Sequence, residues 1–220
     1  MKVLCLVSGG MDSSTLAYWL ASRDELSAVL SFDYGQRHRR ELAAAYSIAA
    51  GTLLVPYYQV EIDLGSLFKG SALTDSGVDV PSGHYAAPVM QKTVLHGRNV
   101  WLLALAFTGA ACNGWDTVAI AAHAGDHFIY PDCRAEFLDT FEQAERLALG
   151  EWANVSLYAP FRDKTKTDIV RLGAELGVPF EQTWSCYRGG QYHCGECGTC
   201  VERREAFILA GIPDPTVYEK

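Results

Sequence analysis

The sequence predicts an α/β protein, a doubly wound parallel sheet with a small C-terminal zinc-binding subdomain. Three observations carry that expectation. Short, wholly apolar runs alternate with segments of helical period from Lys2 to Gly177. The first run ends in a turn rich in Gly and Ser, where a strand hands over to a helix. From Glu181 onward the alternation stops, and four of the seven cysteines crowd together. Alternating strand and helix patterns favour a parallel sheet covered on both faces. At 220 residues the chain is expected to hold one domain, or one domain with an appendage. The expected division is residues 1–180 for the sheet domain and 181–220 for the cysteine-bearing segment.

Each element has its own reason. "KVLCLV", Lys2 to Val7, is apolar throughout after Lys2, as in a strand buried on both faces. "SSTLAYWLAS", Ser13 to Ser22, reads as a helix with Leu16, Trp19 and Leu20 on one face. "SAVLSFD", Ser27 to Asp33, is the second strand. Arg37 to Gly51 is the second helix, with Gly51 as its expected C-cap. Thr52 to Ile62 is a third strand, interrupted at Pro56. Leu64 to Gly97 is irregular and rich in Gly, Ser, Pro and His, long enough to suggest a functional loop, either lid or interface. Then follow a helix (Asn99–Gly114), a strand (Asp116–Ala122), a helix (Cys133–Gly150), a strand (Val155–Pro160) and a helix (Lys164–Gly177). In such sheets ligands sit beyond the carboxyl ends of the strands.

Composition excludes several classes. Apolar residues make up 49%, enough for a normal core, and the formal net charge is −8. Nonspecific nucleic-acid binding runs on clustered Lys and Arg, so no nucleic-acid partner is expected. No apolar run approaches the length of a membrane span, and the start lacks the pattern of a signal peptide. The expected location is the cytoplasm, where thiols stay reduced and seven cysteines point to metal binding or burial rather than disulfides.

The turn "LVSGGMDSST", Leu6 to Thr15, is the centre of the functional reading. Gly9 and Gly10 permit a tight turn with bare amides, and the following helix directs its positive end at the same spot. Ser8, Ser13, Ser14 and Thr15 add hydroxyls, so the turn suits phosphate oxygens. Asp12 repels phosphate by itself but fits a magnesium ion bridging to it. The lysine of a Walker loop is missing, and GxGxxG is not matched. The bland alternative is an ordinary glycine turn with a serine cap. Against it, "SGGMDSS" resembles the SGGxDS loop of the PP-loop ATP pyrophosphatases, which cleave ATP between the α and β phosphates and adenylate a substrate oxygen. The resemblance implies an ATP cradle, with magnesium, over Val7, Ser8, Gly9, Gly10, Met11, Asp12, Ser13, Ser14, Thr15, Leu16 and Ala17.

Further strings narrow the family. "FDYGQRH" (Phe32 to His38), "GRN" (Gly97 to Asn99), "YPDCR" (Tyr130 to Arg134) and "TWSCYRGGQYHCGECGTCVERR" recur in the order found in QueC-type enzymes of queuosine-precursor synthesis, and the likeness runs from Val3 to Tyr218. The chain thus resembles the 7-cyano-7-deazaguanine synthase (QueC/ExsB-type) family. That resemblance implies an AMP-forming carbon–nitrogen ligase. ATP adenylates the carboxylate of 7-carboxy-7-deazaguanine, ammonia gives the amide, and a second ATP drives dehydration to the nitrile. It implies catalytic roles for Asp12, Arg98 and Lys166. Arg98 suits either phosphate or the substrate carboxylate, and its alternative is a solvated helix-start arginine. Lys166 suits pyrophosphate, and its alternative is an exposed helix lysine. Substrate contacts are expected from Arg98, Asp126, Tyr130, Asp132 and Arg134, with Asp132 equally suited to capping a helix near Cys133.

Cys186, Cys194, Cys197 and Cys200 form C-x7-C-x2-C-x2-C, and Gly195 and Gly198 let the backbone curl so that the sulfurs converge. Four thiolates suit one structural zinc per chain, and the same ligands also suit an iron–sulfur cluster. His193 is a possible substitute ligand. Cys5 and Cys112 read as core thiols, and Cys133 as a packed helix-start cysteine or a site thiol.

Two departures from the family pattern stand out. His96 replaces a proline before "GRN", and Phe128 and Ile129 replace small residues before Tyr130. The larger side chains are expected to reshape the pocket, and His96 and His127 are candidate proton acceptors. The alternatives are a relative that stops at the amide, one that conjugates the acyl group to another amine such as that of a protein, and a nucleotide-binding module without turnover. The chain is expected to be a homodimer supplied with ammonia from outside. The sequence leaves open the nucleophile, the final product and the role of the 64–97 loop.

Overall fold

The computed structural model describes residues 1–63, 67–85 and 87–219. Leu64, Gly65, Ser66 and Ala86 of the expected Leu64–Gly97 loop, and Lys220 of the tail, lie outside the described residues. Five parallel strands form one sheet in the order β3-β2-β1-β4-β5. They are β1 (Val3–Leu6), β2 (Leu26–Asp33), β3 (Tyr57–Glu61), β4 (Thr117–Ala119) and β5 (Ser156–Tyr158). Five helices join them or follow them: α1 (Met11–Ala21), α2 (Arg40–Tyr46), α3 (Arg98–Asn113), α4 (Ala135–Leu149) and α5 (Lys166–Glu175). A sixth, α6 (Gly198–Ala210), lies in the cysteine-bearing tail.

The uniformly apolar first strand is explained by two cores. Val3, Cys5 and Val7 pack with Leu16, Ala17 and Leu20 of α1, Ala45 of α2 and Ile169 of α5. Leu4 and Leu6 point the other way, onto Leu103, Ala106, Phe107 and Ala110 of α3 and Leu138 of α4. A strand alternates its side chains between faces, so only an all-apolar strand satisfies both layers. The order reverses between β1 and β4, and the chain leaves their carboxyl ends in opposite directions. The gap there is the position where such sheets take ligands.

Several boundaries differ from expectation. The stretch Thr52–Ile62 is a strand only from Tyr57. Before it, α2 runs into a π-helical turn, Ser47–Thr52, which carries the chain through the expected cap at Gly51. The helix expected from Ser13 starts at Met11. Inside Leu64–Gly97 lies a 3-10 turn, Pro88–Thr93. A second 3-10 turn, Pro131–Cys133, delays α4 to Ala135. Cys5 is buried as expected, and burial pushes its thiol up. Cys112 is exposed, on the solvent side of α3, and is not a core thiol.

The tail returns to the sheet domain. α6 packs on α5, with Phe207 and Ala206 against Val170, Val178 and Phe180. Arg203 is fully buried and donates to Thr183 Oγ1 (2.8 Å), Ser185 Oγ (3.1 Å), the Phe180 carbonyl (2.9 Å) and Asp214 (3.3 Å). Among the described residues no helix is long and apolar enough to cross a membrane.

Candidate active site

The turn after β1 is built around one glycine that nothing else can replace. Gly9 has φ +88°, and a Cβ there would lie 2.1 Å from the Glu41 carbonyl oxygen and 2.8 Å from the Ala45 nitrogen. Helix α2 therefore presses directly on the turn. From the other side Trp184 of the tail donates its amide to the Gly9 carbonyl at 2.8 Å. Ser13 Oγ accepts the Ser8 amide at 3.2 Å and itself donates to the Gly10 carbonyl at 3.2 Å. Gly10 is the N-cap of α1, so the first free amides of that helix face the gap.

The gap is a cleft of about 1250 Å³, open solvent at its mouth included. Val7, Ser8, Gly10, Met11, Asp12 and Ser13 line it. The rest of the expected cradle does not. Gly9 is covered by α2, the Thr15 hydroxyl donates back to the Met11 carbonyl (2.7 Å), and Leu16 and Ala17 pack on the sheet. Ser14 Oγ is buried without a hydrogen-bond partner.

Charged groups alternate along one wall. Lys166 Nζ, at the start of α5, lies 3.2 Å from Asp12 Oδ2 and 2.7 Å from Glu202 Oε2. The buried His123 has its Nε2 4.0 Å from Asp12 Oδ2 and 3.5 Å from Asp126 Oδ2. Its Nδ1 accepts the Gly125 amide at 3.1 Å, which puts the ring proton on Nε2, facing both carboxylates. Tyr85 donates to Asp126 Oδ1 at 3.2 Å. Burial pushes the Asp12 carboxyl up, but Lys166 and His123 outweigh it and hold the group below the usual carboxylate range. Burial likewise works against the Lys166 ammonium, and Asp12 and Glu202 outweigh it, so its proton is held more tightly than usual. Burial raises Glu202. The second oxygen, Asp12 Oδ1, is buried and has no partner. An anionic oxygen left without a donor, beside a turn of free amides, fits a divalent cation.

Arg98 forms the opposite wall. Gly97, in a left-handed conformation, turns the chain into α3 so that the first side chain of the helix enters the cleft. The guanidinium donates to Tyr34 OH at 3.3 Å and lies 5.8 Å from the centre of the Tyr130 ring. Burial disfavours its charge, but the surrounding tyrosine oxygens of Tyr34, Tyr187 and Tyr130 raise its pKa well above the ordinary value. It forms no carboxylate ion pair among the described residues, so a half-buried planar cation faces the cavity ready for an anion. The same wall carries Glu41, whose carboxyl accepts from Gln36 Nε2 at 2.9 Å and lies 3.4 Å from His38 Nε2.

Of the expected substrate residues, Arg98, Asp126 and Tyr130 converge on the cleft. Asp132 and Arg134 do other work. Asp132 Oδ2 accepts the Asn99 amide at 2.8 Å, capping α3 rather than a helix near Cys133. Arg134 is exposed and donates to the His127 carbonyl at 3.0 Å. The expected reshaping of the pocket is not seen either. Phe128 is 83% exposed, and neither it nor Ile129, His96 or His127 lines the cleft. Cys133 is buried, accepts from Asn99 Nδ2 at 3.2 Å and touches the cleft. Sequence reasoning missed His123, Glu202, Glu41, Tyr85 and Tyr187. His123 had a signal, Asp126 three residues on, which closes a capping box with it.

Cys186, Cys194, Cys197 and Cys200 are buried, and their sulfurs lie within 4.8 Å of one another. Backbone amides of Cys194 and Cys197 point at the sulfurs of Cys186 (3.4 Å) and Cys194 (3.3 Å). Thiols of Cys186 and Cys200 hydrogen-bond Cys197 and hold it far below the usual thiol range. Four buried convergent sulfurs with amide donors fit one tetrahedral metal ion such as zinc. His193 is not needed, since its Nε2 accepts the Ser185 amide at 3.0 Å.

A five-stranded parallel sheet with a Gly–Gly turn after its first strand, facing a half-buried lysine, is the architecture of the PP-loop family. The NMN synthetase from Francisella tularensis shares this fold, with a TM-score of 0.55 at 12% identity, over 96% of this chain and 78% of that one. The family model described as "Queuosine biosynthesis protein QueC" matches residues 2–211, and the chain belongs to that family. It is 55% identical over its whole length to the 7-cyano-7-deazaguanine synthase of Rhizobium meliloti (strain 1021), covering 92% of that protein. It is 55% identical to 7-cyano-7-deazaguanine synthase 1 of Mesorhizobium japonicum, covering 94%, and 53% identical to the Brucella anthropi synthase, covering 94%.

Proposed function

We propose that this chain is a 7-cyano-7-deazaguanine synthase that spends ATP twice on one substrate. A carboxylate oxygen of 7-carboxy-7-deazaguanine attacks the α-phosphorus of ATP, pyrophosphate leaves, and an acyl adenylate forms. Ammonia attacks its carbonyl carbon, and AMP and a proton leave to give the primary amide. The amide oxygen is adenylated by a second ATP. Loss of AMP and the remaining N–H proton then gives the nitrile.

The observation that carries this reading is that one cleft joins a Gly–Gly turn capped by free helix amides to a half-buried arginine with no carboxylate partner among the described residues. Ser8, Gly10 and Ser13 hold the leaving pyrophosphate through amides and hydroxyls, and Lys166 adds a point charge. A divalent cation, when bound, neutralises triphosphate charge, and Asp12 Oδ1 is the residue atom suited to hold it. Arg98 takes the substrate carboxylate in bidentate fashion, while Tyr130 and Asp126 contact the deazaguanine ring. The four cysteines hold one structural zinc in residues 181–220, and residues 1–180 form the catalytic domain. The chain works in the cytoplasm, as a homodimer, on ammonia delivered from outside.

The residues that depart from the family pattern stand outside the cleft, which favours nitrile formation over arrest at the amide or conjugation to another amine. Mass spectrometry of the product from 7-carboxy-7-deazaguanine, ATP, magnesium and ammonium tests the proposal. Nitrile with two AMP per turnover is expected. An amide that never converts, or no pyrophosphate release, refutes it.

A further inference from the structure

We propose that Glu202 is a positioning residue: it takes the shorter ion pair with Lys166, so that the ammonium reaches only Oδ2 of Asp12 and leaves Oδ1 to the divalent cation that accompanies ATP. This rests on the reading of Asp12 given above. Lys166 is shared between two carboxylates, and the closer is not the one in the turn. Nζ lies 2.7 Å from Glu202 Oε2 and 3.2 Å from Asp12 Oδ2. The Asp12 oxygen that Lys166 leaves alone is the buried one without a partner. All three side chains are mostly buried, at 14%, 14% and 22% exposed for Lys166, Glu202 and Asp12, so their charges act at short range with little screening.

The origin of Glu202 makes the arrangement informative. It lies on α6, whose N-cap is Cys197 and whose first turn holds Cys200. α6 packs on α5, which begins at Lys166. The cysteine cluster therefore fixes the helix that fixes Glu202, and Glu202 fixes the lysine over the phosphate turn. Gly125 leaves space for this carboxylate, since a Cβ at that position would lie 3.3 Å from Glu202 Oε1. Without Glu202, the carboxylate still paired with Lys166 among the described residues is Asp12. A full positive charge concentrated on Asp12 then competes with the cation. An adjacent charge shifts the affinity of a carboxylate for a cation by a factor of about ten or more.

The test reads binding rather than turnover. Free Mn²⁺ is followed by electron paramagnetic resonance in the presence of the zinc-loaded enzyme and α,β-methylene ATP. Glu202→Gln is expected to weaken Mn²⁺ binding about tenfold, Glu202→Asp to restore most of it, and the KM for the carboxylate substrate to stay unchanged while the magnesium requirement for activity rises. In the Lys166→Met background, Glu202→Gln is expected to have no further effect, because the competing charge is gone. Unchanged Mn²⁺ affinity in Glu202→Gln, or an equal loss with and without Lys166, overturns the proposal. Asp12→Asn separates the underlying reading. If it leaves Mn²⁺ binding intact, the cation is held elsewhere and the Asp12 assignment itself fails. If it abolishes binding while Glu202→Gln does nothing, only the role of Glu202 fails.

Discussion

Replacing Glu41 by Gln should change how stability depends on pH, and the size of the effect follows from two neighbouring side chains. Burial pushes the Glu41 carboxyl from 4.5 up to about 8, and burial pushes the His38 imidazole from 6.5 down to about 3. Folded Glu41 keeps a proton that the unfolded chain releases above 4.5. Its contribution is thus fully present below that pH and lost as pH rises toward 8. Folded His38 refuses a proton that the unfolded chain accepts below 6.5. Its contribution is present above that pH and lost as pH falls toward 3. Each slope is about 1.4 kcal/mol per pH unit. The two cancel between about 4.5 and 6.5, leaving a plateau with a falling limb on either side. Gln keeps the shape of the side chain and the bond from Gln36 but cannot titrate. From pH 5 to pH 7.5 the stability of wild type relative to Glu41→Gln should therefore fall by about 3 kcal/mol, that is 2.5 pH units at that slope. Urea unfolding of the zinc-loaded protein at both pH values measures it. A difference between the two proteins that stays constant within about 1 kcal/mol would refute the reasoning.

Other outcomes follow from the same geometry. Gly9→Ala should cost about 3 kcal/mol, because its Cβ meets α2 backbone and its φ suits only glycine. It should also abolish pyrophosphate release, and retention of wild-type release would show that α2 yields. Cys197→Ser should lose the bound metal, by elemental analysis, and lower Tm for the whole chain. A folded, metal-free, active variant would rule out a structural metal. Phe128→Ser should leave product identity and KM unchanged, since the ring is exposed and outside the cleft. An altered product would show that the ring enters the site during turnover.

The legible parts of the fold were those where one physical demand decides the sequence. Lys2–Val7 reads as a strand because two cores require apolar side chains on both faces. The tight turn after β1 is legible at Gly9, because its φ of +88° and the α2 backbone 2.1 Å from a Cβ there admit only glycine. The four cysteines read as a metal site because their spacing alone brings sulfurs together. Elsewhere, competing demands share the same residues. α6 was hidden because Gly198 and Cys200 read as a metal knot, although they also form the first turn of a helix. Glu202 was invisible for the same reason. Asp132 looked like a base contact, but it serves the backbone of a helix thirty-three residues earlier, a separation that local patterns do not register. Leu54, with φ +56°, and the π-helical turn before it ended the third strand's approach in a way that apolar periodicity does not encode.

The hydrogen bond from Trp184 to Gly9 has a consequence for biogenesis. A growing polypeptide leaves the ribosome amino end first, and its leading segments fold before its trailing ones exist. The Gly–Gly turn therefore remains unfinished until Trp184 has been translated. A prematurely terminated product would carry every residue of the turn and still lack the amide that clamps it shut.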